Sequence, residues 1–310
     1  MVHLRWYVAR RHRNGFNTVM CAIDFSALSR RALRYAAVVA SRAHGTLAVL
    51  FVNDPLLVAA AGAARPRLDL PAQSARELDR FIRTVLGNVT SLAVERRVAT
   101  GEPADEILSA ARESGADLIV VGSHGLTGIA RLAFGSTTAA VLKRSPVPVL
   151  VVPTHDRATR RELLSWPRGC VVAPVMLDRR TAGNIDTVSR VAASFGCTLT
   201  LVHVIASPVL PEWLRIPVKA LRAPQLEPTR QRLAALAASR ARVPARVRVA
   251  HGSPADMIDR LARRERACLL VAMLRDRDRW FEPGRGALTY RIFSQAHVPV
   301  LACPPRWRPQ

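Results

Sequence analysis

The residues with the clearest chemical potential stand in one stretch, GSHGLTGIARLAFGS, from Gly122 to Ser136. Gly122, Gly125 and Gly135 open the backbone to close approach, because no Cβ stands in the way. Ser136 and Thr137 add hydroxyl donors at a helix start, where unpaired N–H groups and the helix dipole favour an anion. His124 lies in the loop between two of the glycines. This combination suits a phosphate chain. Ser136 serves equally well as a plain helix N-cap, and His124 as a solvent-exposed loop residue. The chain contains no P-loop G-x4-G-K-[ST], no protein-kinase set, no G-x-G-x-x-G and no Ser-His-Asp elements in motif context. Its five cysteines, Cys21, Cys170, Cys197, Cys268 and Cys303, make no CxxC pair and no ligand spacing with histidine. They read as small core residues in a reducing compartment, and no metal site is assigned to them. Binding, rather than covalent catalysis, is the chemistry these residues suit.

Such a stretch works only if a strand delivers it and a helix receives it. LIVV (118–121) is an apolar strand immediately before Gly122, and 136–144 has a helical pattern. Upstream, 18–24 (TVMCAID) reads as a strand ending in Asp24. A helix follows with Leu28, Ala32, Tyr35, Val39 and Ala43 at helical spacing and Gly45 as its stop. Residues 46–52 are a second strand, 55–72 an Ala/Pro-rich connection, 73–88 a helix and 91–99 a weaker strand. Pro103 opens a third helix, and VPVLVV (147–152) closes the unit.

The chain then repeats itself. GEPADEILSAARESGADLIVV from Gly101 aligns without gaps with GSPADMIDRLARRERACLLVA from Gly252, and the register runs on to VPVLVV and VPVLAC. Near the start of each copy the offset is one residue longer, which matches Val52 with Val204. We therefore expect a basic leader (1–16), two homologous domains (17–153 and 169–303), a polar linker (154–168) and a short tail (304–310). Alternating strands and helices predict an α/β fold. It consists of two tandem open parallel five-stranded sheets with helices on both faces, Rossmann-like in organisation.

The motif G-x2-G-x9-G-[S/T], present as Gly122, Gly125, Gly135 and Ser136, resembles the ATP-binding signature of the universal stress protein family. Asp24 ending the first strand, the Gly101-x-Pro103 turn and the closing VPVLVV strand are similar to that family too. The resemblance covers both repeats. It implies an adenine nucleotide, ATP, with Mg2+ able to enter alongside the phosphates. Asp24 and the backbone of Val52 would hold the adenine and ribose end, and Gly101 would flank the nucleoside. Gly122, His124, Gly125, Gly135, Ser136 and Thr137 would hold the phosphates. Plainer roles compete: Asp24 as a helix cap, Val52 as core, Gly101 as turn punctuation. The resemblance also implies pairing through the last strands, which would join the repeats as an intramolecular pseudo-dimer and leave room for a further homodimer.

In the second copy Gly122 becomes Met273, His124 becomes Arg275, Gly125 becomes Asp276 and Asp24 falls on Met176; Gly135 survives as Gly286, but Ser136 becomes Ala287. A side chain at Met273 and a negative charge at Asp276 oppose a phosphate. The expectation is a nucleotide held by the first domain only, the second being a structural partner.

Bulk properties bound the rest. The formal charge is +23, with a net +4 over 17–153 and +11 over 170–303, almost all from arginine. Without aromatic interleaving or a reader motif, a solvated basic surface is preferred to a nucleic-acid interface. No apolar run has the 18 or so residues of a membrane span. The leader, Arg-rich and without an acidic residue, lacks the apolar core of a secretory signal; a solvated basic segment is preferred to a transit peptide. The sequence thus points to a cytoplasmic nucleotide-binding stress or regulatory protein with at most slow hydrolysis and a protein partner it does not name. The rivals are a true ATP hydrolase on the same scaffold, a polyanion-binding module using the basic second half, and a scaffold that has lost the nucleotide.

Overall fold

The computed structural model describes residues 15–65, 67–87, 92–124, 135–156, 158–159, 162–163, 166–206, 218–274, 288–305 and 307–308; side chains are described outside 218–224 and 288–289. In the first half the elements run β1 (Thr18–Ile23), α1 (Ala27–Arg42), β2 (Thr46–Asn53), α2 (Pro55–Ala64), α3 (Leu70–Leu86), β3 (Ala93–Thr100), α4 (Pro103–Glu113), β4 (Leu118–Gly122), α5 (Ser136–Arg144) and β5 (Val149–Val152). The second half follows with β6 (Cys170–Pro174), α6 (Thr181–Ser194), β7 (Thr198–Ala206), α7 (Val218–Arg240), β8 (Ala245–Gly252), α8 (Pro254–Arg264), β9 (Ala267–Met273), α9 (Leu288–Gln295) and β10 (Val300–Cys303).

The strands form one ten-stranded sheet in the order β3-β2-β1-β4-β5-β10-β9-β6-β7-β8. Within each half every neighbouring pair is parallel. The two five-stranded parallel sheets expected from the sequence are the two halves of this larger sheet. They meet at an antiparallel junction, with Val300, Leu301 and Ala302 of β10 opposite Val151, Leu150 and Val149 of β5. Both of these short strands are buried along their whole length, as apolar runs without alternation require.

Helices cover both faces. On one, Leu33, Tyr35 and Val39 of α1 and Leu78, Phe81 and Ile82 of α3 pack against Val19, Cys21 and Val49. On the other, Ile107 of α4 and Val141 and Leu142 of α5 pack against Met20, Leu50 and Ile119. Each core layer runs on into the second half: Val171, Leu201 and Leu269 belong to the first layer, and Val172, Leu270 and Ile292 to the second. A further seam joins the halves on the α1 face. Arg42 Nη2 donates to the Phe195 carbonyl at 3.1 Å, and Phe195 lies between the rings of Phe16 and Trp166 at 6.1 and 5.8 Å.

One expectation fails. Residues 55–64, read as irregular connection, form α2, capped by the Asp54 carboxylate, which accepts from Leu56 N at 2.8 Å, with Pro55 in the first turn. None of its residues is buried, and Leu56 and Leu57 are 80% and 57% exposed. A helix without a buried stripe carries no 3.6-residue pattern, so periodicity could not find it. No described helix is long and apolar enough to cross a membrane.

Candidate functional site

In the first half the strand order reverses between β1 and β4, the place where doubly wound sheets leave a crevice at the strand C-termini. The register brings the expected residues to that edge. Cys21 stands opposite Val120, so the ends carrying Asp24 and Gly122 lie side by side. Ile23 stands opposite Phe51, which puts Val52 one residue beyond the last β1–β2 pair; Val52 itself faces Ala99. Asn53 stands opposite Thr100, and Gly101 N donates back to the Asn53 carbonyl at 3.1 Å. Asp24, Val52, Gly101 and Gly122, spread over a hundred residues of chain, thus share one rim.

The Gly122–Ser136 stretch is tied at its neck. Ser123 N donates to the β5 carbonyl of Val152, and Gly135 N donates to the Ser123 carbonyl, both at 2.9 Å. The Thr138 hydroxyl, itself buried, donates to the Gly122 carbonyl at 2.7 Å. These bonds bring the two ends of the motif together across the thirteen-residue gap and set α5 down beside β4. Gly125 lies outside the described residues. Ser123 Oγ is 3.0 Å from His124 Nδ1, and His124 is half-buried. Thr138 and Ser123 are parts of the site that sequence reasoning missed. Both are ordinary hydroxyl residues whose partners are set by tertiary contact, and only their nearness to the glycines could have flagged them.

The start of α5 differs from the other helix starts of this half. α1, α2, α3 and α4 each have a side-chain cap, supplied by Ser26, Asp54, Asp69 and Glu102. α5 begins at Gly135 with no side-chain cap bond and no acidic residue in its first turn. Ser136 is therefore not the N-cap; it is the first helical residue and exposed, with Thr137 beside it half-buried. With no side-chain cap from the described residues, the N–H groups of this first turn, at the positive end of the dipole, are open to another partner. Lys143 and Arg144 in the last turn complement the opposite end.

Asp24 is not a helix cap either. Ser26 caps α1, its hydroxyl accepting from Ser29 N at 3.1 Å. Asp24 supports that turn: one carboxylate oxygen accepts from Ser26 N at 3.1 Å and from the Ser29 hydroxyl, and Asp24 N donates to Ser29 Oγ at 2.9 Å. Phe25 takes φ +64 to make this possible and packs on Phe51 and Phe81, at 4.5 and 5.4 Å between ring centres.

The glycines have unequal reasons. A Cβ on Gly101 would meet only the flexible Glu106 side chain, nearest atom at 2.5 Å. A Cβ on Gly122 would lie 2.9 Å from Leu28 Cγ and 3.2 Å from the His124 carbonyl. Packing of Leu28 thus accounts for part of the demand for glycine at 122. In the second half, by the same repeat register, Arg180 and Met273 take these two places. Met273 packs partly against the core there, and Met176, the counterpart of Asp24, is 50% exposed. Arg275, Asp276, Gly286 and Ala287 lie outside the described residues. Among the described residues, no group of three or more His, Cys, Asp or Glu could hold a metal ion.

Two α/β repeats of this topology, the first with a glycine-rich sequence following β4 at its switch point, define the class. The model of the universal stress protein family matches residues 15–153 and again 184–304, and the chain belongs to that family. It is 33% identical over 147 residues to universal stress protein YxiE of Bacillus subtilis, covering 44% of this chain and 99% of that one. A universal stress protein of Mycolicibacterium smegmatis is 25% identical over 301 residues, 93% of this chain and 97% of its own length. Among solved structures, a universal stress protein from Archaeoglobus fulgidus superposes with a TM-score of 0.63 at 18% identity, covering 93% of this chain and 96% of that one; at that identity the likeness concerns the fold.

Proposed function

We propose that the first repeat (17–153) binds an adenine nucleotide, ATP by its motif, and that the protein acts in the cytoplasm as a nucleotide-dependent stress or regulatory protein. The observation that carries this reading is the uncapped start of α5 at Gly135, held by the Thr138 and Ser123 bonds next to Gly122 at the switch point. The β- and γ-phosphates would lie against the backbone of Gly122, Gly125 and Gly135, with the Ser136 and Thr137 hydroxyls donating and His124 at the rim. Asp24 would accept from the ribose hydroxyls, Val52 would meet the base through its backbone, and Gly101 would flank the nucleoside. Mg2+ would enter with the phosphates, since no carboxylate cage stands ready for it among the described residues. The second repeat (169–303), with Met176 and Met273 in place of Asp24 and Gly122, would serve as a structural partner. The β5–β10 ladder and the Arg42–Phe195 seam support a pseudo-dimer of the two repeats.

Isothermal titration of the full chain with ATP, AMP and cyclic AMP tests this. One ATP per chain is expected, abolished by Gly135→Val with the circular dichroism spectrum unchanged. Two ATP per chain would overturn the role given to the second repeat; no heat and no thermal shift would overturn the nucleotide reading itself.

A further inference from the structure

Away from the crevice, three cysteines that are distant in sequence gather at the N-terminal ends of the second-half strands. Cys170 opens β6, Cys197 directly precedes β7, and Cys268 is the second residue of β9. The β6–β9 ladder slips here: Cys170 pairs with Ala267 and Val171 with Leu269, so Cys268 is the extra residue of a bulge. A bulge re-aims a side chain out of the regular ladder. The Cys268 sulfur is 3.8 Å from that of Cys197, across the intervening strand. The third sulfur is turned away, Cys170 Sγ lying 3.2 Å from Thr200 Oγ1. Cys268 is held from both sides: Trp166 Nε1 donates to its carbonyl at 2.8 Å, and its thiol reaches the Cys170 carbonyl at 3.3 Å. Arg42 of the first half completes the cluster. Its guanidinium and the Cys197 thiol both point at the Phe195 carbonyl, at 3.1 and 3.7 Å.

We propose that Cys197 and Cys268 are a disulfide-forming dithiol that takes hydrogen peroxide as its oxidant. A disulfide needs its sulfurs at about 2.05 Å, so closure from 3.8 Å across β6 draws the backbone before β7 and at the β9 bulge together as well as turning the two side chains. The hydrogen bond from Cys268, aided by the charge of Arg42, holds the Cys197 thiol below its usual range, and the same bond together with burial pushes Cys268 up. Of the two, Cys197 is thus the more readily ionised and the attacking sulfur. It attacks one peroxide oxygen; the O–O bond breaks, the departing hydroxide takes a proton to become water, and Cys197 becomes a sulfenic acid. Cys268 then attacks the Cys197 sulfur, the S–O bond breaks, and a second water leaves with the remaining proton. Two thiols lose two electrons and two protons, and one peroxide becomes two waters. Cys21 and Cys303 stay out of this chemistry, because both are at 0% exposure and burial raises their thiols well above the ordinary range, whereas Cys197 is 4% exposed with its thiol lowered and Cys268 is half-buried.

The test treats the full chain with hydrogen peroxide, alkylates the remaining thiols, and maps peptides by mass spectrometry. A Cys197–Cys268 linked peptide that dithiothreitol reverses is expected, with five alkylatable thiols in the denatured reduced chain falling to three. Linkage through Cys170, or oxidation of single cysteines with no linked peptide, would overturn the proposal. Cys268→Ser should lose the linked peptide and leave Cys197 as a sulfenic acid that dimedone captures. Equal dimedone capture in wild type and variant would count against it. Cys170→Ser should keep the link, and its loss there would overturn the pairing.

Discussion

Thr138 shows how much of the site depends on one hydroxyl. Its bond to the Gly122 carbonyl closes the neck of the glycine stretch from inside the protein. Thr138→Val keeps the volume and leaves that carbonyl without its partner, which should cost about 1–3 kcal/mol. The expected result is a lower urea midpoint at unchanged m-value, with ATP affinity reduced in the same variant; unchanged affinity would show that the neck does not shape the site. Asp24→Asn should weaken ATP binding while leaving the fold intact, because the amide oxygen still accepts from Ser26 N and the Ser29 hydroxyl. A second residue-scale property is the response to alkali. Burial raises the thiols of Cys21 and Cys303, and burial with the nearby Asp156 carboxylate raises the Tyr35 phenol. These acids stay protonated in the folded chain while the unfolded chain releases their protons, from roughly pH 8.5 for thiols and pH 10 for tyrosine. The folded state then binds more protons than the unfolded one, so stability falls as pH rises, by about 1.4 kcal/mol per pH unit for each group. Urea midpoints measured from pH 7 to 10.5 should decline from about pH 8.5 onward, less steeply in Cys303→Ala.

Among the elements, the short strands β5 and β10 have the largest consequences for their size. Leu150 and Leu301 face each other at 2% and 1% exposure, and this ladder of three residue pairs is where two parallel systems become one sheet. Leu301→Ala should cost about 2–5 kcal/mol, seen as a lower thermal midpoint for the whole chain; a drop confined to a partial transition would mean the halves melt separately. The order of elements was legible in the sequence because apolar runs of strand length alternate with helical spacing, and because the chain states the pattern twice. Gly122 stood out as a glycine at a strand end, whereas Asp24, Val52 and Gly101 were singled out through the family resemblance, and the register brings all four to one rim. α2 was not, since its ten residues bury nothing, although Asp54 followed by Pro55 was a usable start signal. The cysteine cluster was invisible for a different reason. Its members are 71 or more residues apart apart from the short step from Cys170 to Cys197, and only strand order and a bulge bring them together.

Across the whole molecule, charge and coupling can be considered together. Six arginines of the second half are locally matched among the described residues: Arg248 and Arg246 with Glu265, Arg230 with Glu227, Arg263 with Asp259, Arg240 with Asp186 and Arg291 with Asp256. The net +23 already counts these acidic partners, so the unpaired surplus of guanidinium groups sets the field. No aromatic interleaving or reader motif accompanies that surplus, so retention on heparin should be lost at moderate salt, with a shallow salt dependence. Coupling has a more definite carrier. α1 is sixteen residues long, roughly 24 Å by helix rise. One end grows out of the Asp24 turn, and the other delivers Arg42 to the Phe195 carbonyl beside Cys197. The Asp24 turn and the thiol at the seam thus share one element, and measuring the Cys197–Cys268 redox equilibrium with and without saturating ATP tests whether they are coupled. Thermodynamic reciprocity then requires the converse. If saturating ATP changes the dithiol–disulfide equilibrium of the pair, closing the disulfide must change the affinity for ATP by the same factor, so one bound nucleotide and one oxidant become two inputs read by a single helix.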